Sequence, residues 1–311
     1  MRRNASGLSG LLAVAKPAGM TSHDVVDRVR RATGERRVGH AGTLDPMATG
    51  LLLVAVGPAT RLNQYLTGHD KEYRARIAFG TATDTDDAEG CVICQSPVPE
   101  ALTDPGFAQT QLRALIGDLE QVPPAYSAVK RQGRKAYEVA RAGGELELEP
   151  RTVTVYQADL VSLAADPVVE WTVDLRVSKG TYIRALARDL GRALGSAAHL
   201  AGLQRRQSGR VRLEDAVSLE QVEAAGPQGV EALFCDPVAA LGLPRIELPA
   251  DLVVPLRQGK RLPAPGDALA LEGLPVAVTS GGRLLSVHRV QGGGLVAMTV
   301  IDGGVAGCKE A

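Results

Sequence analysis

The sequence predicts an α+β protein of about two domains, a larger mixed domain followed by a small β-rich tail. Three observations predict it. Segments that alternate apolar and polar residues interleave with segments whose apolar residues recur every three to four positions. Hydrophobic residues make up 45% of the 311, enough for a sizeable core, and charged residues 23%, close to the globular average. From about residue 244 the texture changes to short apolar runs separated by Gly and Pro clusters, as in a small β-barrel, with no carboxylate cluster of its own.

In chain order, residues 23–33 read as an amphipathic helix with Val25, Val26 and Val29 on one side. The run Leu51–Val56 reads as a buried strand, because it is short, apolar and followed by Gly-Pro. "KEYRARIAFG" alternates as a strand, and residues 107–119 look helical, with Leu112, Leu115 and Ile116 at core spacing. "VPPAYSAVKRQGRKAYEVARAGG" begins with a proline pair and ends with a glycine pair, and carries five basic residues and one acid between Ala128 and Arg141. It reads as an inserted basic segment. "WTVDLRV" alternates as a strand and leads through "SKG" into a helix, with Thr181 as N-cap and Ile183, Leu186, Leu190 and Leu194 as its buried stripe.

Composition excludes several classes. Basic and acidic residues both count 35, so a nucleic-acid partner would meet local patches and not a global excess. Of the basic residues 28 are Arg, a bias that phosphate recognition and codon usage explain equally well. No apolar run approaches the roughly 20 residues of a membrane span, and Leu11–Ala15 is too short for a signal peptide. A soluble, cytoplasmic protein is expected. Cys91 and Cys94 have C-x-x-C spacing, but residues three apart on a strand face opposite ways, and Cys235 and Cys308 supply no second pair. Asp84, Asp86 and Asp87 lack the glycine and distal glutamate of a calcium loop and read as a polar turn. No Walker A, GxGxxG after a strand, HExxH or GxSxG occurs.

One carboxylate stands apart. Asp45 in "GHAGTLDPMATG" is the only acid between Glu35 and Asp70. The following proline pushes it out of the helical region, and Gly42 and Gly50 permit unusual backbone angles and close approach. It therefore sits on a constrained loop at the mouth of a core strand, either as a turn aspartate bonding its own backbone or as a functional group. Arg184 is a candidate counterpart, against the alternative of a charged helix face on which Arg188 and Arg192 follow at helical spacing. It lies in a helical first turn, where the dipole disfavours a cation, so it is either solvated or placed to meet an anion. A carboxylate in an apolar pocket needs such a partner to stay ionised.

"AVAKPAGMTSHDVVDRVR", "GHAGTLDPMATG", "KEYRARIAFGTATDTDDAEG", "PPAYSAVKRQGRKAYEVAR", "SKGTYIRALARDLG" and "HLAGLQRRQSG" occur in the order found in TruB-type tRNA pseudouridine synthases, and the chain resembles that family over roughly residues 11–215. Ala41 stands where Thr is common, and "GLLLVAVG" lacks a proline often seen in that strand; neither touches the chemistry. The resemblance implies a catalytic domain over 1–243 with a central, mostly antiparallel mixed sheet flanked by helices. It also implies an inserted thumb over roughly 123–151 and a PUA-like RNA-binding barrel over 244–311.

The family isomerises uridine 55 in the T arm of tRNA to pseudouridine, without cofactor or metal. The resemblance implies Asp45 as the catalytic aspartate, whether it attacks C1′ or C6 or removes the C2′ proton. It implies Arg184 as its salt-bridge partner and Tyr73 as the tyrosine that stacks on the base and helps move the C5 proton. His40 matches a histidine filling space left by flipped nucleotides, Tyr182 and Leu203 match pocket walls, and Lys130, Arg131, Arg134 and Lys135 lie in the thumb. A monomer without an obligate protein partner and without a membrane is expected. A glycosidase would need two carboxylates or a metal near the bond, which the solitary Asp45 opposes. Two rival functions share these motifs or this binding surface: a guide-dependent ribosomal RNA synthase, and an RNA-folding module without catalysis.

Overall fold

The computed structural model describes residues 6–309, apart from 128, 132 and 145. Two compact units emerge: Met1–His69 with Gln207–Ala311, and Asp70–Arg206.

In the first unit, the strand Gly10–Lys16 runs antiparallel to Thr49–Val56, from Gly10 opposite Val56 to Lys16 opposite Gly50. The short strand Val38–His40 pairs with the same central strand. Leu51–Val56 is buried throughout, as its unbroken apolar run predicts. The helix Ser22–Thr33 starts in a capping box, Thr21 with Asp24, and ends at Gly34 in the left-handed conformation (φ 65°). Its buried face is Val25, Val26 and Val29, the expected stripe. Its Arg28 pairs with Glu223 of the helix Leu219–Gly229 at 2.6 Å.

The C-terminal part of this unit is a five-stranded sheet in the order Arg245–Glu247, Pro275–Ser280, Arg283–Gln291, Gly294–Val305, Leu262–Pro263. The first pair is parallel and the others antiparallel. Bulges between Val278 and Thr279 and along Arg283–Gln291 bend the strands and curl the sheet. One face packs its own core of Ile246, Val276, Val278, Leu285 and Val290. The other shares a core with the N-terminal strands: Ala277, Leu284, Val287, Ile301 and Val305 lie in one cluster with Leu11, Leu53, Leu62 and Leu66.

The second unit orders its strands Ala198–Ser208, Lys71–Phe79, Glu170–Val177, Arg151–Ala164, Gly117–Gln121. The registers set Tyr73 opposite Leu175 and Gln121 opposite Arg151. Trp171 anchors the core, fully buried, with its indole N–H donating to the Leu102 carbonyl at 2.9 Å and Phe79 edge-on at 4.8 Å.

Two expectations from the sequence need correction. The helix expected over 107–119 spans Pro105–Arg113, because residues from Gly117 pair with Arg151–Val155 and Gly117 turns the chain at φ 126°. Leu112 is buried as expected, but Ile116 is exposed. The helix expected from Thr181 runs Ile183–Ala193, and its N-cap residue is Tyr182. The Thr181 hydroxyl donates to the Ser178 carbonyl instead of capping. Cys91 and Cys94 are exposed free thiols, Cys91 just before the strand Val92–Gln95 and Cys94 within it, opposite Ala82 of Thr81–Thr83.

Candidate active site

The loop that carries Asp45 is pinned on both sides. Lys16 ends the first strand almost fully buried, and its ammonium donates to the carbonyls of Pro17 (2.9 Å), Pro46 (3.1 Å) and Ala48 (2.6 Å). A buried cation is costly unless its donors are used, and these carbonyls use them. Ser22 closes the other side: its hydroxyl donates to the Leu44 carbonyl at 3.0 Å and accepts from the Leu44 N–H at 2.8 Å. The Asp45 carbonyl accepts from the Ala48 N–H at 3.1 Å. Gly42 and Gly50 take φ of 103° and 102°, backbone that other residues rarely adopt. Asp45, half-buried, is thus a carboxylate on a rigid tight loop beside a core strand. His40 ends the short strand opposite Val54 and is half-buried in the same unit.

Arg184 lies in the second unit, in the first turn of the helix Ile183–Ala193, and is buried. The solvated-face reading fails here. Along the same helix exposure rises from Arg184 (5%) through Arg188 (13%) to Arg192 (72%), so the three arginines do not share one environment. The Arg184 guanidinium donates to the carbonyls of Thr85 and Tyr126, each at 2.9 Å, and stands 3.5 Å from the Asp87 carboxylate. Asp87 is equally buried and is itself held by the Thr85 hydroxyl (2.6 Å) and the Glu89 N–H (3.1 Å).

Next along the helix, Arg188 meets Asp86 at 3.0 Å. Asp86 sits at φ 60°, unusual for a residue with a side chain. Burial holds its pKa above the ordinary carboxylate value, and the Arg188 charge offsets only part of that rise. In the sequence these acids read as a polar turn. In the fold Asp86 and Asp87 are counter-charges to an arginine ladder. Their only signal in the sequence is the density of acids in "TDTDDAEG", which does not reveal the helix they face.

Tyr73 is buried on the strand Lys71–Phe79, with Arg74 and Arg76 on the opposite face; Arg74 pairs bidentately with Asp174 at 2.7 and 2.8 Å. Two residues before Tyr73, burial pushes the Lys71 ammonium down to about 8, with Arg205 repelling it and Asp70 pulling the other way. Leu203 is half-buried on Ala198–Ser208. Tyr182 is half-buried under the Arg151 guanidinium, 5.6 Å from its ring centroid. Arg134 is exposed on a two-residue strand paired with Lys130–Arg131; the side chain of Lys130 lies outside the described residues. No group of three or more metal-ligating side chains occurs among the described residues.

The second unit thus brings Tyr182 and Arg184 together at one helix start, while Asp45 and His40 share a short stretch of the first unit. The model of the TruB family pseudouridylate synthase N-terminal domain matches residues 30–183, and that of the tRNA pseudouridylate synthase B C-terminal domain matches 184–232. The chain is 42% identical over 302 residues to the tRNA pseudouridine synthase B of Arthrobacter sp. (strain FB24), covering 96% of this chain and 95% of that protein. It is 43% identical over 315 residues to that of Deinococcus deserti, covering 90% and 98%. Among solved structures, the archaeal box H/ACA sRNP Nop10-Cbf5 complex matches with a TM-score of 0.67 at 23% identity, over 94% of this chain and 85% of that one, a likeness of fold alone. The chain belongs to the TruB family of pseudouridylate synthases.

Proposed function

We propose that the protein isomerises uridine 55 in the T arm of tRNA to pseudouridine on a flipped-out nucleotide, with Asp45, Arg184 and Tyr73 at the reacting centre. That it is a tRNA pseudouridine synthase follows from its family and its relatives. The observation that most supports the residue assignment is the Asp45 loop: one carboxylate, clamped by the buried Lys16 and by Ser22, beside a core strand.

The reaction breaks the C1′–N1 bond, turns the uracil, and joins C5 to C1′; the C5 proton leaves and N1 gains one, so the product is an isomer. An ionised, immobile carboxylate beside the sugar suits this chemistry in a pocket that excludes water. Arg184, with its charge balanced by Asp87, supplies a fixed guanidinium to aim Asp45. The Tyr73 ring stacks on the base, and its hydroxyl serves the C5 proton. His40 fills the gap left by the flipped nucleotide, and Tyr182 and Leu203 wall the base. The segment 123–151, with Lys130 and Arg134, closes over the RNA. Residues 244–311 add RNA-binding surface. The protein acts as a monomer on tRNA in the cytoplasm, without a guide RNA or an obligate protein partner.

Incubating the protein alone with unmodified tRNA tests this. Pseudouridine should appear at position 55, and Asp45→Asn should abolish turnover while tRNA affinity stays within a few-fold, since the amide keeps the shape and loses the charge. Turnover by Asp45→Asn near the wild-type rate refutes the catalytic assignment. Activity only on a guide-paired ribosomal RNA refutes the substrate.

A further inference from the structure

We infer that Gln121 is a positioning residue for this reaction: it holds Tyr182, and through it the first turn of the Arg184 helix, in the working geometry. The inference rests on the role proposed for Arg184 in aiming Asp45.

Gln121 ends the strand Gly117–Gln121 and is 3% exposed. Both arms of its side-chain amide go to one residue. The oxygen accepts from the Tyr182 N–H at 2.8 Å, and the nitrogen donates to the Tyr182 carbonyl at 3.1 Å. Such a pair of bonds copies what a neighbouring strand would offer. The helix start needs it. Tyr182 is the N-cap residue, with extended angles (φ −96°, ψ 110°), and its side chain makes no capping bond. Where Ser, Thr or Asp would fix a helix entry from within, this entry is fixed from outside.

Neighbouring contacts continue the same connection. Arg151, directly opposite Gln121 in the strand pairing, lies over the Tyr182 ring, so two paired residues take its backbone and its ring. The chain leaving Gln121 stays on the helix: the Val122 carbonyl accepts from Arg188 and the Tyr126 carbonyl from Arg184, each at 2.9 Å. Gln121 and Arg151 border the basic segment 123–151. The neck of that segment and the helix carrying Arg184 are therefore fastened at Tyr182. A guanidinium fork two residues beyond an unfixed helix entry would lose its aim, and misplacement of about 1 Å costs up to about a hundredfold in rate.

The experiment compares wild type with Gln121→Leu, Gln121→Glu and Arg184→Lys, measuring single-turnover pseudouridine formation, tRNA Kd and thermal melts. Gln121→Leu should slow the single-turnover rate by about tenfold or more while Kd changes by no more than about twofold. Gln121→Glu should be slow at neutral pH and recover relative to wild type as pH falls, because a protonated carboxyl again offers one donor and one acceptor. A folded Gln121→Leu with a wild-type rate, or with a loss confined to Kd, overturns the inference. Should Gln121→Leu fail to fold, the near-isosteric Gln121→Glu decides, and a wild-type rate at every pH overturns it. Arg184→Lys separates the two readings. Slow Arg184→Lys beside unaffected Gln121 variants sinks only the role of Gln121, whereas a fully active Arg184→Lys sinks the assignment of Arg184 itself.

Discussion

Asp87 and Arg184 face each other at 3.5 Å with both side chains about 5% exposed, so neither charge can be satisfied by solvent. Asp87→Asn takes a negative charge away from beside the buried guanidinium, which keeps the Thr85 and Tyr126 carbonyls. We expect a loss of about 1–3 kcal/mol in stability, read by denaturant melts. Single-turnover activity should fall by about tenfold or more, because the Arg184 guanidinium, in the role proposed for it, loses its own brace. An Asp87→Asn variant with wild-type melt and rate would show that the pair carries neither load. At this scale the sequence is uneven. The isolation of Asp45 between two glycines is visible in the letters, and the first-turn position of Arg184 hints at an anion. Asp87 is not legible, since its partner is 97 positions away and only tertiary structure joins them (184 − 87).

The strand Arg283–Gln291 carries a pH liability in the C-terminal sheet. His288 is 2% exposed, its Nδ1 has no hydrogen-bond partner among the described residues, and burial pushes its pKa down to about 4 from 6.5. The native state therefore holds it neutral where the unfolded chain would take up a proton. Stability is full above pH 6.5 and declines as pH falls from there toward 4, by about 3 kcal/mol over the window. Urea melts between pH 7 and 4 should show this slope, and His288→Leu should flatten it. An unchanged slope would mean that other groups govern the decline. Elements are legible where local rules decide them. The helix Ser22–Thr33 announces itself through its valine stripe. The helix ending at Arg113 is overrun in a sequence reading because Leu115 and Ile116 continue its apolar spacing, while pairing with Arg151–Val155 claims the backbone from Gly117. Tyr182 does not read as a helix start, because its cap comes from Gln121, 61 positions away.

For the whole molecule, the shared core matters most. The C-terminal sheet contributes Leu284, Val287, Ile301 and Val305 to a cluster with Leu11, Leu53, Leu62 and Leu66. Arg61 donates to the Val300 carbonyl, and the Tyr65 hydroxyl bonds the Thr299 hydroxyl at 2.7 Å. Burial of such side chains is worth about 1.5–3 kcal/mol each, so losing four approaches the whole stability of a typical domain, about 5–15 kcal/mol. Removing residues 244–311 should therefore abolish a cooperative melt, measured by circular dichroism, in addition to any weakening of tRNA binding. A truncated protein that melts cooperatively near the wild-type temperature would show that the N-terminal strands are self-sufficient. The sequence marks residue 244 as a change of texture. It does not show that one face of the tail completes a core begun at Leu11, because pairing between distant apolar faces leaves no local trace.

That core has a bearing on biosynthesis. A ribosome delivers Leu11, Leu53 and Leu66 early, then the entire stretch from Asp70 to Arg206, and only afterwards Ile301 and Val305, which share their cluster. Until Ile301 and Val305 emerge, the nascent segment bearing Asp45 keeps an apolar flank open to water and to chaperones. Folding of the segment around Leu11 and Leu53 is therefore expected to wait on synthesis of Ile301 and Val305, the former 248 positions after Leu53 in the chain (301 − 53).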